Sequence, residues 1–215
     1  MGNPRDPLTF DNTFHIYNHA VGDDCFFREE RNYYFFMEKF IKWILPVTNV
    51  LAYCLVPNHF HFCLRIQSRQ ELQRYFEDKM HRRAGTDISR IKENEILEKL
   101  VNEQFSHCFN SYAQSYNHKY MRMGSLFKES FQRKPVTSDD YLRNLICYIN
   151  NNPVHHRMVE HPSHWKHSSY NEMFSDQPSI VERKEVIELF DTLENLEFVH
   201  LTPTGWGDPV GVTME

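Results

Sequence analysis

Apolar and polar positions alternate over residues 14–20, a run carrying aromatic and β-branched side chains, and this predicts a first strand closed by a turn at Asp23-Asp24. Over residues 28–45 the period changes: Tyr34, Met37, Phe40, Ile41 and Ile44 recur at three and four, the pattern of a helix ended by Pro46. Residues 50–56 are almost wholly apolar and read as a strand buried on both faces. Pro57-Asn58 supplies a tight connection, and residues 59–66 form a third strand, so strands two and three make a hairpin.

Helical periodicity then holds across residues 68–120, broken near Ala84-Gly85-Thr86-Asp87, with an apolar stripe through Ile96, Leu100, Phe105, Phe109 and Tyr112. Gly124 opens a turn, and residues 126–136 can form a fourth strand, closed by Pro135 and Thr137. Ser138-Asp139-Asp140 caps a helix over residues 141–152, where Pro153 stops it. A helix over residues 183–196 and a Gly/Pro tail from Thr202 follow, with no internal repeat or low-complexity stretch. The order β-α-β-β-α-β predicts an α+β fold, a ferredoxin-like antiparallel sheet with a helical insertion over about residues 68–120 and one more helix appended. Length favours one catalytic domain over residues 1–170, with residues 171–215 as an acidic helical extension and tail.

Composition changes this picture in one respect. A net charge of -5 is unfavourable for a partner of nucleic acid, whose phosphates reward lysine and arginine. From Glu172 onward, however, ten acidic residues stand against two basic ones, a local -8 that leaves +3 for residues 1–171. Lys119, Arg122, Lys128, Arg133 and Lys134 cluster against one acidic residue, Glu129, either as a solvated face or as a phosphate-binding one. Five cysteines form no CxxC pair and read as reduced, buried thiols rather than a zinc site or a disulfide framework. No apolar run approaches the roughly 20 residues of a membrane span, and residues 1–7 lack a signal peptide's apolar stretch, so no membrane partner and a cytoplasmic location are expected.

Candidate chemistry lies in two separated fragments. In a strand, residues two apart share a side, so His59 and His61 can converge on one ion while Phe60 and Phe62 face the core. With thirteen histidines in the chain, the pair can equally be two surface side chains on a strand that buries phenylalanines. Tyr148 and Asn152 lie one helical turn apart and can share a site, or serve as a core tyrosine and a C-terminal cap. His155, His156, His161, His164 and His167 read as loop histidines, and His15 and His19 are too far apart along a strand to chelate one ion.

The run Leu55-Val56-Pro57-Asn58-His59-Phe60-His61-Phe62, the stretch from Gly124-Ser125-Leu126-Phe127 to Phe131, and Tyr148-Ile149-Asn150-Asn151-Asn152-Pro153-Val154 together resemble the REP-associated tyrosine transposases. These are relatives of the insertion-sequence-200-like single-tyrosine (HUH) transposases, and Trp165 followed by Ser168-Ser169-Tyr170 fits the same pattern. The resemblance spans residues 14–170. It implies a metal-dependent endonuclease and strand transferase that cleaves and rejoins single-stranded DNA near hairpins through a 5′-phosphotyrosine. Carried over residue by residue, Tyr148 is the nucleophile, His59 and His61 are metal ligands and Asn152 is a third ligand, with Mg²⁺ or Mn²⁺ as the cofactor.

DNA contacts are expected from Lys119, Arg122, Lys128, Arg133 and Lys134, with Phe127 or Tyr120 as stacking platforms, and a homodimer is among the arrangements the family allows. Two other readings share the fold: a non-catalytic module that binds hairpin nucleic acid, and a hydrolase that works through metal-activated water. The long stretch between His61 and Tyr148 and the acidic extension depart from a minimal member, which leaves substrate access open.

Overall fold

The structure is a computed structural model that describes residues 7–81 and 93–202. The expected break at residues 84–87 and the tail beyond Thr202 lie outside the described residues. Strands β1 (Thr13–His19), β2 (Thr48–Val56), β3 (His59–Ile66) and β4 (Gln132–Pro135) form one sheet in the order β2-β3-β1-β4, with every neighbouring pair antiparallel. Helix α1 (Glu30–Trp43) joins β1 to β2, while α2 (Arg69–His81) and α3 (Asn94–Lys119) lie between β3 and β4. After β4 come α4 (Asp139–His155), the short α5 (Tyr170–Met173), α6 (Arg183–Leu189) and α7 (Leu193–Leu201). This is the ferredoxin-like strand order expected from the sequence, with α4 as the appended helix.

Alternation along β3 divides the molecule into layers. Phe60 and Phe62 point to one face, where Phe40 stacks on Phe62 at 4.5 Å, and Phe36 and Phe109 lie 5.2 and 5.4 Å from Phe60. These rings weld α1 and α3 to the sheet, each fully buried phenylalanine contributing about 1.5–3 kcal/mol. His59 and His61 point to the opposite face, which α4 covers through contacts with β2 and β3. Ser138 caps α4, its side chain accepting from the Tyr141 backbone N–H at 3.2 Å.

Several boundaries differ from the sequence reading. The fourth strand spans Gln132–Pro135 alone; before it the ladder is reduced to an isolated bridge between Ala20 and Phe127. Leu126 and Phe131 turn inward instead of alternating, and Phe131 stacks on Phe105 of α3 at 5.2 Å. Pro153 does not end α4, which runs to His155; proline lacks only the N–H of its own position, and the helix closes within the next turn as His156 donates to the Asn152 carbonyl. The expected helix over residues 183–196 is two helices, because Asp191 adopts a left-handed conformation (φ 67°) and Thr192 caps α7 by accepting from the Asn195 N–H.

The expected stripes hold at Phe40 and Ile44 around α1 and at Phe105, Phe109 and Tyr112 on α3, while the remaining positions are displaced by one residue. The sheet buries Tyr33, Phe36 and Phe40, leaving Tyr34 and Ile41 exposed, and α3 buries Leu97, Val101, Phe105, Cys108 and Tyr112. Both helices carry more apolar residues than one face needs, so their period alone admits neighbouring stripes. The cysteines are free thiols, four of them buried. No described helix is long and apolar enough to cross a membrane.

Candidate active site

The buried face between β3 and α4 holds the polar cluster. His59, His61, Asn152 and Tyr148 are all buried there, although His59 and Asn152 stand 93 positions apart. His59 Nε2 and Asn152 Oδ1 approach to 2.9 Å, and His59 Nδ1 lies 2.9 Å from Asn58 Oδ1. A neutral imidazole carries a single N–H. If that proton sits on Nδ1 and is donated to Asn58, Nε2 and the Asn152 oxygen present two lone pairs to the same space.

His61 Nε2 and Asn152 Nδ2 are buried with no hydrogen-bond partner. Buried polar atoms are ordinarily satisfied, so orphans gathered at one spot mark a place built for another group. Among the described residues no three His, Cys, Asp or Glu side chains come together as a ligand set, and the Asn152 amide oxygen is the further donor that lies against His59. The donor set of two imidazoles and one amide oxygen fits a divalent ion with coordination positions left open.

Tyr148 sits one turn before Asn152 and is 3% exposed. Its ring lies 5.5 Å from His61 and 5.7 Å from His155, so two imidazoles flank the phenol.

The cross-strand register brings in histidines that spacing along the chain leaves out. His19 pairs with His59 across β1 and β3 and its ring stacks at 4.8 Å. His15 Nε2 lies 2.9 Å from His61 Nδ1 in a fully buried contact, which holds the His61 ring and bears on its tautomer. His155 and His156 are not loop residues but the end of α4 and its cap, with His156 4.7 Å from the His59 ring. The alternation His15-x-Tyr17-x-His19 is the available signal; without the register it cannot be matched to β3.

Electrostatics keep this cluster neutral. Burial pushes His15 down to about 3, helped by the Lys134 charge, and brings His59 to about 3. His61 is driven well below the usual imidazole range by burial and then by its histidine neighbours, and burial also lowers His19, His155 and His156. Neutral imidazole is the form that ligates metals.

The expected DNA-contacting residues separate into two groups. Arg122 is engaged by Asp24, its Nε donating at 2.8 Å, and Lys119 pairs with Glu29. Arg133 is buried, donates to Asn102 and lies 4.4 Å over the Phe131 ring, so it is built into the fold rather than offered to phosphate. Phe127 packs against Phe26 and Phe109 while staying partly exposed, and the Tyr120 hydroxyl bonds to Glu29 and Asn32. Lys128 and Lys134 are the two whose charges are felt in the histidine cluster, at His19 and His15 respectively.

The acidic extension reaches α4 from behind. His200 of α7 is buried against the tyrosine helix: its Nδ1–H donates to the Leu196 carbonyl at 2.7 Å, leaving Nε2 to accept from the Asn150 amide at 3.0 Å. The Asn151 amide donates to the His200 carbonyl at 3.1 Å, and Asn150 also accepts from Ser169 at 2.7 Å. Three consecutive asparagines therefore do different work, two fastening α4 to the extension and one facing the histidines.

Among known proteins, the chain is similar in structure to a REP-associated tyrosine transposase solved bound to a REP hairpin. The sequence identity is 15% and the TM-score 0.52, over 84% of this chain and 90% of that one. That likeness establishes the fold. No family model and no curated protein sequence matches the chain.

Proposed function

We propose that the chain is a transposase-type endonuclease and strand transferase of the REP-associated tyrosine family, acting on single-stranded DNA beside hairpins. The observation that carries this reading is the meeting, in one buried site, of His59 Nε2 and Asn152 Oδ1 at 2.9 Å, the unpartnered His61 Nε2, and Tyr148. The shared fold with a transposase bound to hairpin DNA supports it.

His59, His61 and Asn152 would hold Mg²⁺ or Mn²⁺, which when bound polarises the scissile phosphate. Tyr148 is the nucleophile. Its oxygen forms a bond to phosphorus as the bond to the 3′-oxygen breaks, and the proton given up by the phenol to solvent is balanced by the one the leaving 3′-oxygen takes from solvent. The 5′-phosphate stays on Tyr148 as an ester, so a second 3′-hydroxyl can attack it and rejoin the strand without ATP. The phenol must be uncovered before a phosphate can reach it, so DNA binding has to move the Tyr148 side chain or α4.

The test is to incubate the full chain with Mn²⁺ and a hairpin bearing single-stranded flanks, and to look for a covalent adduct on a denaturing gel. Wild type should form it and Tyr148→Phe should not. Cleavage that survives Tyr148→Phe without an adduct would instead identify a hydrolase, and hairpin binding insensitive to chelator with no cleavage would identify a binding module.

A further inference from the structure

The two histidines of β3 are held from behind by different partners. His59 Nδ1 has the Asn58 side-chain oxygen at 2.9 Å, whereas His61 Nδ1 has the Nε2 of His15 at the same distance. Among the described residues this is the one hydrogen-bond contact of the His61 ring, since its Nε2 is buried without a partner. His15 reaches it from the neighbouring strand. Cys63 is its direct partner across β1 and β3, so His61 lies on the diagonal, a span that ring side chains can bridge. Tyr17, the direct partner of His61, stacks on His15 at 4.7 Å, and the His15 and His61 rings are inclined by only 26°. The His15 ring is fully buried in this packing, which fixes where its Nε2 stands.

Two neutral imidazoles in contact leave two proton arrangements, because each carries one N–H and one of them has to accept. In the first, His15 donates from Nε2 and His61 carries its own proton on Nε2. In the second, His61 donates from Nδ1, and the His15 proton sits on Nδ1. Either way one buried N–H goes unanswered by the protein, at His61 Nε2 or at His15 Nδ1, so counting hydrogen bonds does not separate them. Ligation does. A metal takes the lone pair of a neutral imidazole, and His61 Nε2 offers one only in the second arrangement. His15 is able to accept there because burial and the charge of Lys134, opposite it on β4, keep its imidazole neutral.

We propose that His15 is the positioning residue of the metal site: it accepts the Nδ1–H of His61 and so fixes the tautomer and ring orientation in which His61 Nε2 ligates the ion. This rests on the reading of His61 as a ligand and adds the residue that makes it one. His15 touches neither the ion nor the DNA.

The experiment is titration calorimetry of the full chain with Mn²⁺, comparing wild type with His15→Leu and His15→Gln. A glutamine side chain can bring an amide oxygen close to where Nε2 stands, so it keeps an acceptor, and leucine does not. His15→Leu should bind Mn²⁺ roughly ten-fold or more weakly, the scale for losing a partner of a ligating histidine, while His15→Gln should keep most of the affinity. A merely structural role would not be rescued by glutamine. Nitrogen NMR of histidine-labelled wild type loaded with Mg²⁺ should also find the His61 proton on Nδ1, a result that needs no variant to fold. Unchanged affinity in His15→Leu, equal losses in both variants, or a His61 proton on Nε2 in the loaded wild type would overturn the role of His15 while leaving the ligand reading intact. A wild type that binds no Mn²⁺ would instead sink the ligand reading, and His15's role with it.

Discussion

His200 offers a quantitative check on how the acidic extension holds the tyrosine helix. Burial lowers its pKa from 6.5 to about 4, only partly opposed by the bond to the Leu196 carbonyl. Protonating Nε2 would also turn a donor toward the Asn150 amide that now donates to it. Because the folded pKa lies below the unfolded one, the unfolded chain binds the proton first. Stability is therefore complete above about pH 6.5, declines as pH falls below it, and levels off below about pH 4. Each pKa unit is worth about 1.4 kcal/mol, so lowering the pH from about 7.5 to about 5.5 should cost on the order of 1 kcal/mol through this one group. Urea denaturation of wild type and His200→Gln at both pH values isolates the contribution, since the other titrating groups are common to both proteins. The wild type should lose on the order of 1 kcal/mol more than the variant. An identical pH dependence in the two would refute the assignment of His200 as a buried neutral fastener.

Asn152→Ala should weaken Mn²⁺ binding by roughly ten-fold or more, measured by titration calorimetry; unchanged affinity would remove the amide from the ligand set. Phe60→Ala, which empties the centre of the ring cluster joining α1 and α3 to the sheet, should cost about 3–5 kcal/mol in denaturant unfolding. Ser138→Ala removes the cap of α4 and should cost about 1 kcal/mol without abolishing the covalent adduct, because the cap lies at the far end of the helix from Asn152.

The parts of the fold that are legible in the sequence are those set by local geometry. The β3 limits, His59–Ile66, follow from the turn at Pro57-Asn58 and the alternation that succeeds it. The N-terminal cap of α4 is readable because Ser138 meets its donor within the same turn. Strand four reads too long from the sequence because Leu126 and Phe131 look like strand residues until α3 offers their side chains a place to bury. The stripe of α1 reads one position out at its start because Tyr33 and Tyr34, or Phe36 and Met37, are locally equivalent; only packing against the rings on β3 distinguishes them.

By itself the sequence determined that His59 and His61 share a side of a strand and that Tyr148 and Asn152 share a side of a helix, since those relations are periodicities of the backbone. Tertiary structure decided that the two sides face each other, that His15 and His19 join them, and that His200 fastens α4 from behind. These contacts join residues about 40 to 90 positions apart, and they depend on strand register and helix docking. Burial across the whole sheet selects that register and docking, so no single segment encodes them.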